Sequence, residues 1–283
     1  MVEEAIKKSA VLIEALPYIK NFFGKTVIIK FGGSSLHDEE VRKGVIQDIV
    51  FMKYAGMKPI LVHGGGPNIN EVLEKENLVT KFINGLRVTC EKTMGIVDRV
   101  LLALNAELVS EIKSFGAESF GLSGKENNLM QTIPHKDAEF LGFVGEVSAI
   151  DTTVIRKLID SNVIPVVAPI GKGKDNKIYN VNADDAASSL AVALSAEKFV
   201  LMTNVKGVMD METGSMYKSL TFKKVKELIE KKIITGGMLP KVGSCLNALE
   251  GGVKKAHIVD ASLKHALLLE IFTDEGIGTE IVV

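Results

Sequence analysis

The sequence predicts an α/β protein whose mainly parallel sheet is covered by helices on both faces. Three observations lead to this class: β-branched runs alternate with helical segments, glycine turns follow two of those runs, and the 283-residue chain holds 26 Gly but no Trp. Strands that alternate with helices favour parallel pairing through right-handed crossovers. A chain of this length can bury a large core without disulfides or metals.

The elements follow in chain order from the spacing of apolar residues and from the turn residues. Residues 3–20 predict an amphipathic helix, which Pro17 breaks or kinks near its end. The predicted strands are residues 26–31, 59–62, 119–122, 163–167, 198–203 and 255–259. The predicted helices are residues 38–54, 68–77, 152–161, 183–195 and 242–249. Hairpins are predicted at 80–90 and 128–150, with bends at Gly85, Gly142 and Gly145, and a polar turn within 171–180 marks the join between two lobes.

Charge and cysteine content argue against several classes of function. Lys plus Arg number 34 and Asp plus Glu number 35, so the chain lacks the positive surplus that nucleic acids and anionic membranes select. Cys90 and Cys245 stand outside any CxxC pattern, which favours a reducing compartment. No run of 18 apolar residues predicts a membrane span, and the charges among the first 14 residues are untypical of a signal peptide. We therefore expect a cytoplasmic protein with no nucleic-acid or membrane partner.

Two glycine turns and one lysine are the strongest chemical signals. Gly32-Gly33 and Gly64-Gly65-Gly66 each follow a strand, where backbone N–H groups and a helix start can bind an anion. Each can also be a simple tight turn. Lys30 lies in an apolar strand, so it is either an edge residue that reaches solvent or a cation beside a phosphate-binding turn. GxxxxGK[ST] is absent, and no GxGxxG follows the first strand, so a phosphate site here belongs to another class.

Three further segments place polar residues at helix starts or strand ends. Residues 180–185 offer two amides and two carboxylates, which is more than the N-cap Asn182 alone requires. Lys241 follows the glycine turn at 235–237 and can equally be a surface lysine. His63 at a strand end is more typical of a hydrogen-bonded structural group than of a base, and the histidine spacing predicts no zinc site. We expect no protein metal site.

Taken in order, these segments resemble the N-acetyl-L-glutamate kinases of the amino acid kinase superfamily. The resemblance covers the whole chain and rests on Lys30-Phe31-Gly32-Gly33, His63-Gly64-Gly65-Gly66-Pro67, Gly85-Leu86-Arg87-Val88-Thr89, Asn180-Val181-Asn182-Ala183-Asp184 and Gly237-Met238-Leu239-Pro240-Lys241. The first segment alone would also fit aspartokinases, glutamate 5-kinases, carbamate kinases and uridylate kinases, and the later ones favour the acetylglutamate enzymes. The resemblance implies a three-layer αβα sandwich with a mainly parallel central sheet of about eight strands.

The resemblance also implies a reaction and its residues. The expected reaction is the ATP-dependent phosphorylation of the side-chain carboxylate of N-acetyl-L-glutamate in L-arginine biosynthesis, with Mg²⁺ bound through the nucleotide. That carboxylate has an ordinary pKa of about 4.3, so it is ionised at neutral pH and needs no general base. The expected catalytic residues are Lys30, Lys241 and Asp184; the substrate contacts are Gly65, Gly66, Arg87 and Asn180; the nucleotide contacts are Gly32, Gly33, Thr203, Asn204, Gly207 and Thr235.

One segment departs from the family pattern. Thr203-Asn204-Val205 stands where the family usually has a TDV or SDV triplet, and Lys206 follows it. Asn204 can keep a hydrogen bond of the replaced acid but not its charge. The departure concerns nucleotide binding and leaves the lysines and the substrate contacts unaffected.

The predicted N-terminal helix resembles the extension of the arginine-inhibited branch of the family, in which such helices interlace dimers into a hexameric ring. By this resemblance Tyr18, Lys198, His265, Glu270 and Gly276 line an arginine site. We therefore expect a homohexamer, a trimer of dimers, that L-arginine inhibits. The expected division is residues 1–24 as the helical extension, 25–172 as the lobe for the amino-acid substrate and 173–283 as the ATP lobe.

Two alternatives remain open at this point. A sister kinase would act on another amino acid or on carbamate, and Arg87 with Asn180 favours an acylated amino acid instead. An inactive amino-acid sensor or scaffold would not need both lysines and Asp184.

Overall fold

The computed structural model describes residues 2–210, 213–273 and 276–283, which form fourteen strands and eleven helices. The strands are β1 Thr26–Phe31, β2 Lys58–His63, β3 Phe82–Ile83, β4 Leu86–Arg87, β5 Ser119–Ser123, β6 Met130–Pro134, β7 Val144–Ile150, β8 Ile164–Ala168, β9 Ile170–Gly173, β10 Ile178–Val181, β11 Lys198–Thr203, β12 Ser219–Thr221, β13 Lys255–Asp260 and β14 Thr279–Val282. The helices are α1 Val2–Phe22, α2 Ser34–His37, α3 Glu39–Tyr54, α4 Gly66–Lys75, α5 Glu91–Ser114, α6 Ala138–Leu141, α7 Thr153–Asp160, α8 Ala183–Ala193, α9 Phe222–Glu230, α10 Met238–Glu250 and α11 Ala266–Ile271.

Eight of these strands form one sheet in the order β12-β14-β13-β11-β1-β2-β8-β5. Every neighbouring pair is parallel except β13 and β14, which run antiparallel. Helices α3, α5 and α11 pack on one face, and α8, α9 and α10 pack on the other. The predicted αβα sandwich with a mainly parallel eight-stranded sheet is therefore confirmed.

Strand β1 lies in the middle of the sheet, and its alternate side chains enter two different cores. Val27, Ile29 and Phe31 belong to the core shared with α3 and α5. Ile28 points to the opposite face and belongs to the core shared with α8 and α10. Because strand side chains alternate, Lys30 projects to the same face as Ile28. This alternation directs the lysine towards the starts of α8 and α10.

Strands β6, β7, β9 and β10 close into a small barrel that contains two of the predicted turns. The hairpin within 128–150 is the antiparallel pair β6–β7, and the polar turn within 171–180 joins β9 to β10. The hairpin within 80–90 is β3–β4. The predicted bend at Gly145 is wrong, because Gly145 lies inside β7. A Cβ at this position would come within 2.7 Å of the Cβ of Tyr179, so the glycine is explained by close packing.

Helix α1 continues through Pro17 to Phe22, so of the two predicted effects of Pro17 the break is wrong and the kink stays a prediction. Contacts with the body of the protein hold its last turn, since Phe22 packs on the α3–α5 core and the Tyr18 ring lies 6.3 Å from that of Phe272. Residues 91–114 form α5, which was not predicted although apolar residues recur there at helical spacing. Helix α9 and strand β14 were not predicted either.

In the described ranges, none of the helices is both long and apolar enough to span a membrane. The two halves of the expected division share the central sheet, because β1, β2, β5 and β8 form one side of it and β11 to β14 form the other. The boundaries at residues 24 and 172 stay predictions.

Candidate active site

The two glycine turns lie against each other where β1 and β2 end. The Gly64 N–H donates to the carbonyl of Phe31 at 2.8 Å, and a Cβ on Gly32 would lie 3.2 Å from the Cα of Gly64. Gly33 has a φ of 76°, which favours glycine. Gly65 caps α4, which begins at Gly66, so the free N–H groups of a helix start face this edge of the sheet. The turns therefore offer backbone donors to an anion.

Two lysines share one buried carboxylate beside these turns. The Nζ of Lys30 lies 2.8 Å from Asp184 Oδ1, and the Nζ of Lys241 lies 3.4 Å from Asp184 Oδ2. Burial alone would raise the pKa of Asp184, but the two lysines outweigh burial and hold that pKa below its ordinary value. The structure thus brings together the three residues expected to be catalytic, as one anion between two cations.

The start of α8 positions Asp184. Asn182 is its N-cap, and its Oδ1 accepts from the N–H groups of Asp184 at 2.8 Å and Asp185 at 3.3 Å. The Asp185 carboxylate is bonded to Ser244 Oγ at 2.8 Å, and Ser244 lies one turn after Lys241 on α10. Helices α8 and α10 are therefore tied together next to the ion pairs.

A cavity of about 210 Å³ adjoins the glycine turns and is lined by Lys30, Gly65, Gly66, Asn180 and Asp184. Arg87 also lines it and is only 7% exposed. The arginine Nη2 donates to Asn70 Oδ1 at 2.6 Å and to the Gly66 carbonyl at 3.2 Å. Among the described residues, nothing accepts a hydrogen bond from Arg87 Nη1, which is buried.

The surroundings of Arg87 hold it rigidly and keep it charged. Its guanidinium lies 4.8 Å from the ring centre of Phe82. Burial lowers the pKa of Arg87, but a guanidinium starts so far above neutral that it remains protonated. Asn180 Nδ2 donates to Thr89 Oγ1 at 3.2 Å, and Thr89 Oγ1 donates to the Arg87 carbonyl at 2.8 Å. A buried guanidinium with an open N–H is suited to a substrate carboxylate.

Sequence reasoning named Arg87 and Asn180 but missed the residues that hold them. Thr89 lay inside the GLRVT segment and could have been singled out. Asn70 and Phe82 carried no signal, because their contacts with Arg87 depend on how α4 and β3 pack.

Of the residues expected to bind nucleotide, Gly33 lines this cavity and Gly32 precedes it in the same turn, whereas Thr203, Asn204, Gly207 and Thr235 do not line it. Thr203 is the last residue of β11 and follows Met202, which pairs with Phe31 of β1. Thr203 is buried, and Asn204 after it is exposed. Thr235 lies before α10, where its carbonyl accepts from the Met238 N–H at 3.3 Å. Gly207 is buried against Thr279 and Met216, so packing alone requires a glycine there. No group of three or more His, Cys, Asp and Glu side chains in the described part of the chain could hold a metal ion.

A second cavity, of about 510 Å³, lies between the end of α1 and the edge formed by β11, β13 and α11. Four of the five residues predicted for the arginine site line it, namely Tyr18, Lys198, Glu270 and Gly276. Burial lowers the pKa of Lys198, whose Nζ lies 4.7 Å from the ring centre of Phe22.

The placement of His265 in this cavity is wrong. His265 has a left-handed backbone, with φ 56°, at the start of α11, and its Nδ1 lies 2.6 Å from Asp48 Oδ1 on α3. The histidine that lines the cavity is His257, whose Nδ1 lies 2.6 Å from Glu270 Oε1. The strand of residues 255–259 could have indicated it, since its alternate residues Lys255 and His257 share a face.

These features define a kinase with the amino acid kinase fold. A sequence profile of the Amino acid kinase family matches residues 25–260, and the chain belongs to that family. An acetylglutamate kinase from Petrotoga mobilis is 49% identical over 281 residues, which are 98% of this chain and 94% of the relative. Within the family, the chain belongs with the acetylglutamate kinases.

Solved structures of N-acetylglutamate synthase from Neisseria gonorrhoeae share the fold. The synthase complexed with coenzyme A and N-acetyl-glutamate matches with a TM-score of 0.86 at 25% identity, over 97% of this chain and 63% of that one. The same synthase complexed with coenzyme A and L-arginine matches with a TM-score of 0.83 at 25% identity, over 97% and 65% of the two chains. This chain thus spans less than two thirds of the synthase.

Proposed function

We propose that this kinase transfers the terminal phosphoryl group of ATP to the side-chain carboxylate of N-acetyl-L-glutamate, a step of L-arginine biosynthesis that gives N-acetyl-L-glutamyl 5-phosphate and ADP. The observation that carries the proposal is the Lys30–Asp184–Lys241 arrangement beside a cavity that holds a buried guanidinium with an open N–H. The name of the relative at 49% identity, acetylglutamate kinase, supports it.

The geometry suggests how the chain would promote this reaction. Arg87 binds the α-carboxylate of the substrate, and Asn180 lines the same cavity. The attacking carboxylate is already ionised, so the protein needs to align it and to offset negative charge on the phosphoryl oxygens. Lys30, Lys241 and the N–H groups of the glycine turns face that charge. Mg²⁺, carried on the nucleotide phosphates, supplies further charge neutralisation when it is bound.

The test is a coupled assay of ADP release with acetylglutamate, glutamate, aspartate and carbamate as acceptors. We expect turnover with acetylglutamate and at least a tenfold lower kcat/KM with glutamate, which lacks the acyl group. Preference for aspartate or carbamate would identify a sister kinase. Absence of ADP release with every acceptor would identify an inactive sensor and overturn the proposal.

We further propose that L-arginine inhibits the enzyme by binding in the second cavity. Lys198 offers a partner for the arginine carboxylate, and Glu270 is a partner for its guanidinium. The oxygens of Glu270 already accept from His257 and from the N–H groups of Ile277 and Gly278, which leaves room for about one more donor. A synthase of the same fold is complexed with L-arginine, which supports an arginine site on this fold.

A homohexamer, assembled as a trimer of dimers, is proposed from the surface of α1. Ile6, Ile13 and Leu16 are 61%, 68% and 57% exposed, so this apolar stripe does not pack on the body of its own subunit. A second copy of α1 would cover the stripe with a matching apolar surface. Use of ATP and the free thiols of Cys90 and Cys245 fit a cytoplasmic location.

A further inference from the structure

His63 is a fully buried histidine to which the proposed reaction gives no role, and it directly precedes the second glycine turn. It lies two positions after Leu61, so its side chain projects into the α3–α5 face, away from Lys30. Burial lowers the pKa of His63 to about 4. The imidazole is therefore neutral at pH 7 and carries one N–H. Whether Nδ1 or Nε2 carries this proton decides which neighbouring group the ring can donate a hydrogen bond to.

The hydrogen bonds of Asn105 determine which nitrogen of His63 carries the proton. Asn105 Nδ2 donates to the Val166 carbonyl at 3.0 Å and lies 3.1 Å from His63 Nε2. An amide nitrogen donates and does not accept, so His63 Nε2 accepts from Asn105. The proton then belongs to Nδ1, which lies 2.7 Å from the Gly64 carbonyl and donates to it.

We propose that His63 is a positioning residue that holds the Gly64 carbonyl and thereby aims the N–H of Gly65 at the phosphoryl group. In a planar trans peptide, the carbonyl and the following N–H point in opposite directions. With the carbonyl drawn towards α5, the Gly65 N–H points towards the cavity that Lys30 and Asp184 line. Within the described ranges this N–H has no acceptor. The inference rests on the proposed function, which puts a phosphoryl group at this turn.

Gly121 on β5 affects the hydrogen-bonded chain of Asn105, His63 and Gly64 without lining the active-site cavity. A Cβ at that position would overlap Asn105 Oδ1, so glycine leaves the room that Asn105 occupies. Because Gly121 does not line the active-site cavity, Gly121→Ala perturbs the hydrogen-bonded chain without touching substrate.

The first experiment reads the tautomer directly by ¹⁵N NMR of histidine-labelled full chain at pH 7.5. We expect His63 to show the proton on Nδ1. His135 is the internal control, because its Nδ1 accepts from the Asp137 N–H at 3.0 Å and its proton therefore belongs to Nε2. A proton on Nε2 of His63 would overturn the proposal while leaving the kinase assignment intact.

The second experiment compares His63→Asn with His63→Leu in the ADP-release assay. The Nδ2 of asparagine occupies about the position of the histidine Nδ1, so it can donate to Gly64, whereas leucine cannot. We expect His63→Leu to lower kcat about tenfold to a hundredfold, since the Gly65 N–H is misdirected rather than removed, with the KM for ATP within about twofold. His63→Asn should stay within about fivefold of the parent, and Gly121→Ala should lower kcat about tenfold. Equal losses in both His63 variants would show that donation to the Gly64 carbonyl is not what the reaction requires and would overturn the proposal, and an inactive parent chain would instead refute the proposed function.

Discussion

Replacing Asp184 by asparagine removes the anion that Lys30 and Lys241 share while it keeps the shape of the side chain. With 2.8 Å and 3.4 Å separations and an effective dielectric constant of about 20, the two attractions are worth about 6 and about 5 kcal/mol before desolvation. Lys241 is 21% exposed and can turn to water, but Lys30 is only 9% exposed. We expect Asp184→Asn to lower the free energy of unfolding by about 3 to 5 kcal/mol, the usual cost of leaving a buried charge without its partner.

The same substitution should lower kcat about 10²- to 10³-fold, because the lysines lose the group that holds them against the developing phosphoryl charge. Urea unfolding and the ADP-release assay measure the two effects. The pKa of Asp184 is lower in the folded protein than its ordinary value. The ionised carboxylate therefore stabilises the fold fully at every pH above the ordinary pKa, and this contribution is lost as the pH falls through the lowered pKa. The stability difference between parent and variant should therefore stay constant from pH 5 to 8.

Asp185→Asn is the matched control for this experiment. Burial raises the pKa of Asp185, and its carboxylate bonds Ser244 instead of a lysine, so an amide should cost less than tenfold in kcat. The reasoning about Asp184 would be refuted if its variant kept near-parental kcat and stability, or if both variants lost activity equally.

Four further outcomes follow from the same geometry. Arg87→Lys should raise the KM for acetylglutamate at least about tenfold and leave the KM for ATP within about twofold, because lysine lacks the planar fork; equal rises would contradict the substrate contact. Lys30→Ala and Lys241→Ala should each lower kcat about 10²- to 10³-fold with unchanged circular dichroism, and near-normal turnover in either would contradict its role. With saturating Mg-ATP, kcat should be flat from about pH 6 to 8, since Asp184 and the substrate carboxylate are both ionised there; a step near pH 7 would reveal a titrating base. Deleting residues 1–20 should give an active dimer that L-arginine no longer inhibits, as sizing and inhibition curves would show, and a hexamer that stays sensitive would disprove the role of α1.

Local patterns predicted most strands of the central sheet, but they were not read at residues 91–114, where apolar residues recur at helical spacing and form α5. The strands at 26–31 and 198–203 were predicted correctly, because short runs rich in β-branched residues and bounded by turn residues favour a strand over a helix. Pro17 was predicted to break or kink the helix, and it does not break it, since contacts of Phe22 and Tyr18 with the body of the protein stabilise the turn that proline weakens. Helix α1 shows that tertiary contacts can override a local propensity.

The sequence by itself determined the glycine turns, the N-cap at Asn182 and the face of β1 that carries Lys30, because capping and a period of two depend only on neighbouring residues. Only the tertiary structure decided which groups meet. Asp184 reaches Lys30 because α8 packs on the face of the sheet that carries this lysine. His257, and not His265, enters the second cavity because β13 pairs with β11 beside Lys198, whereas the backbone at His265 turns its ring towards Asp48. These choices depend on sheet order and packing, which join residues that are distant in the chain, whereas the local pattern of β13 shows only that Lys255 and His257 share a face.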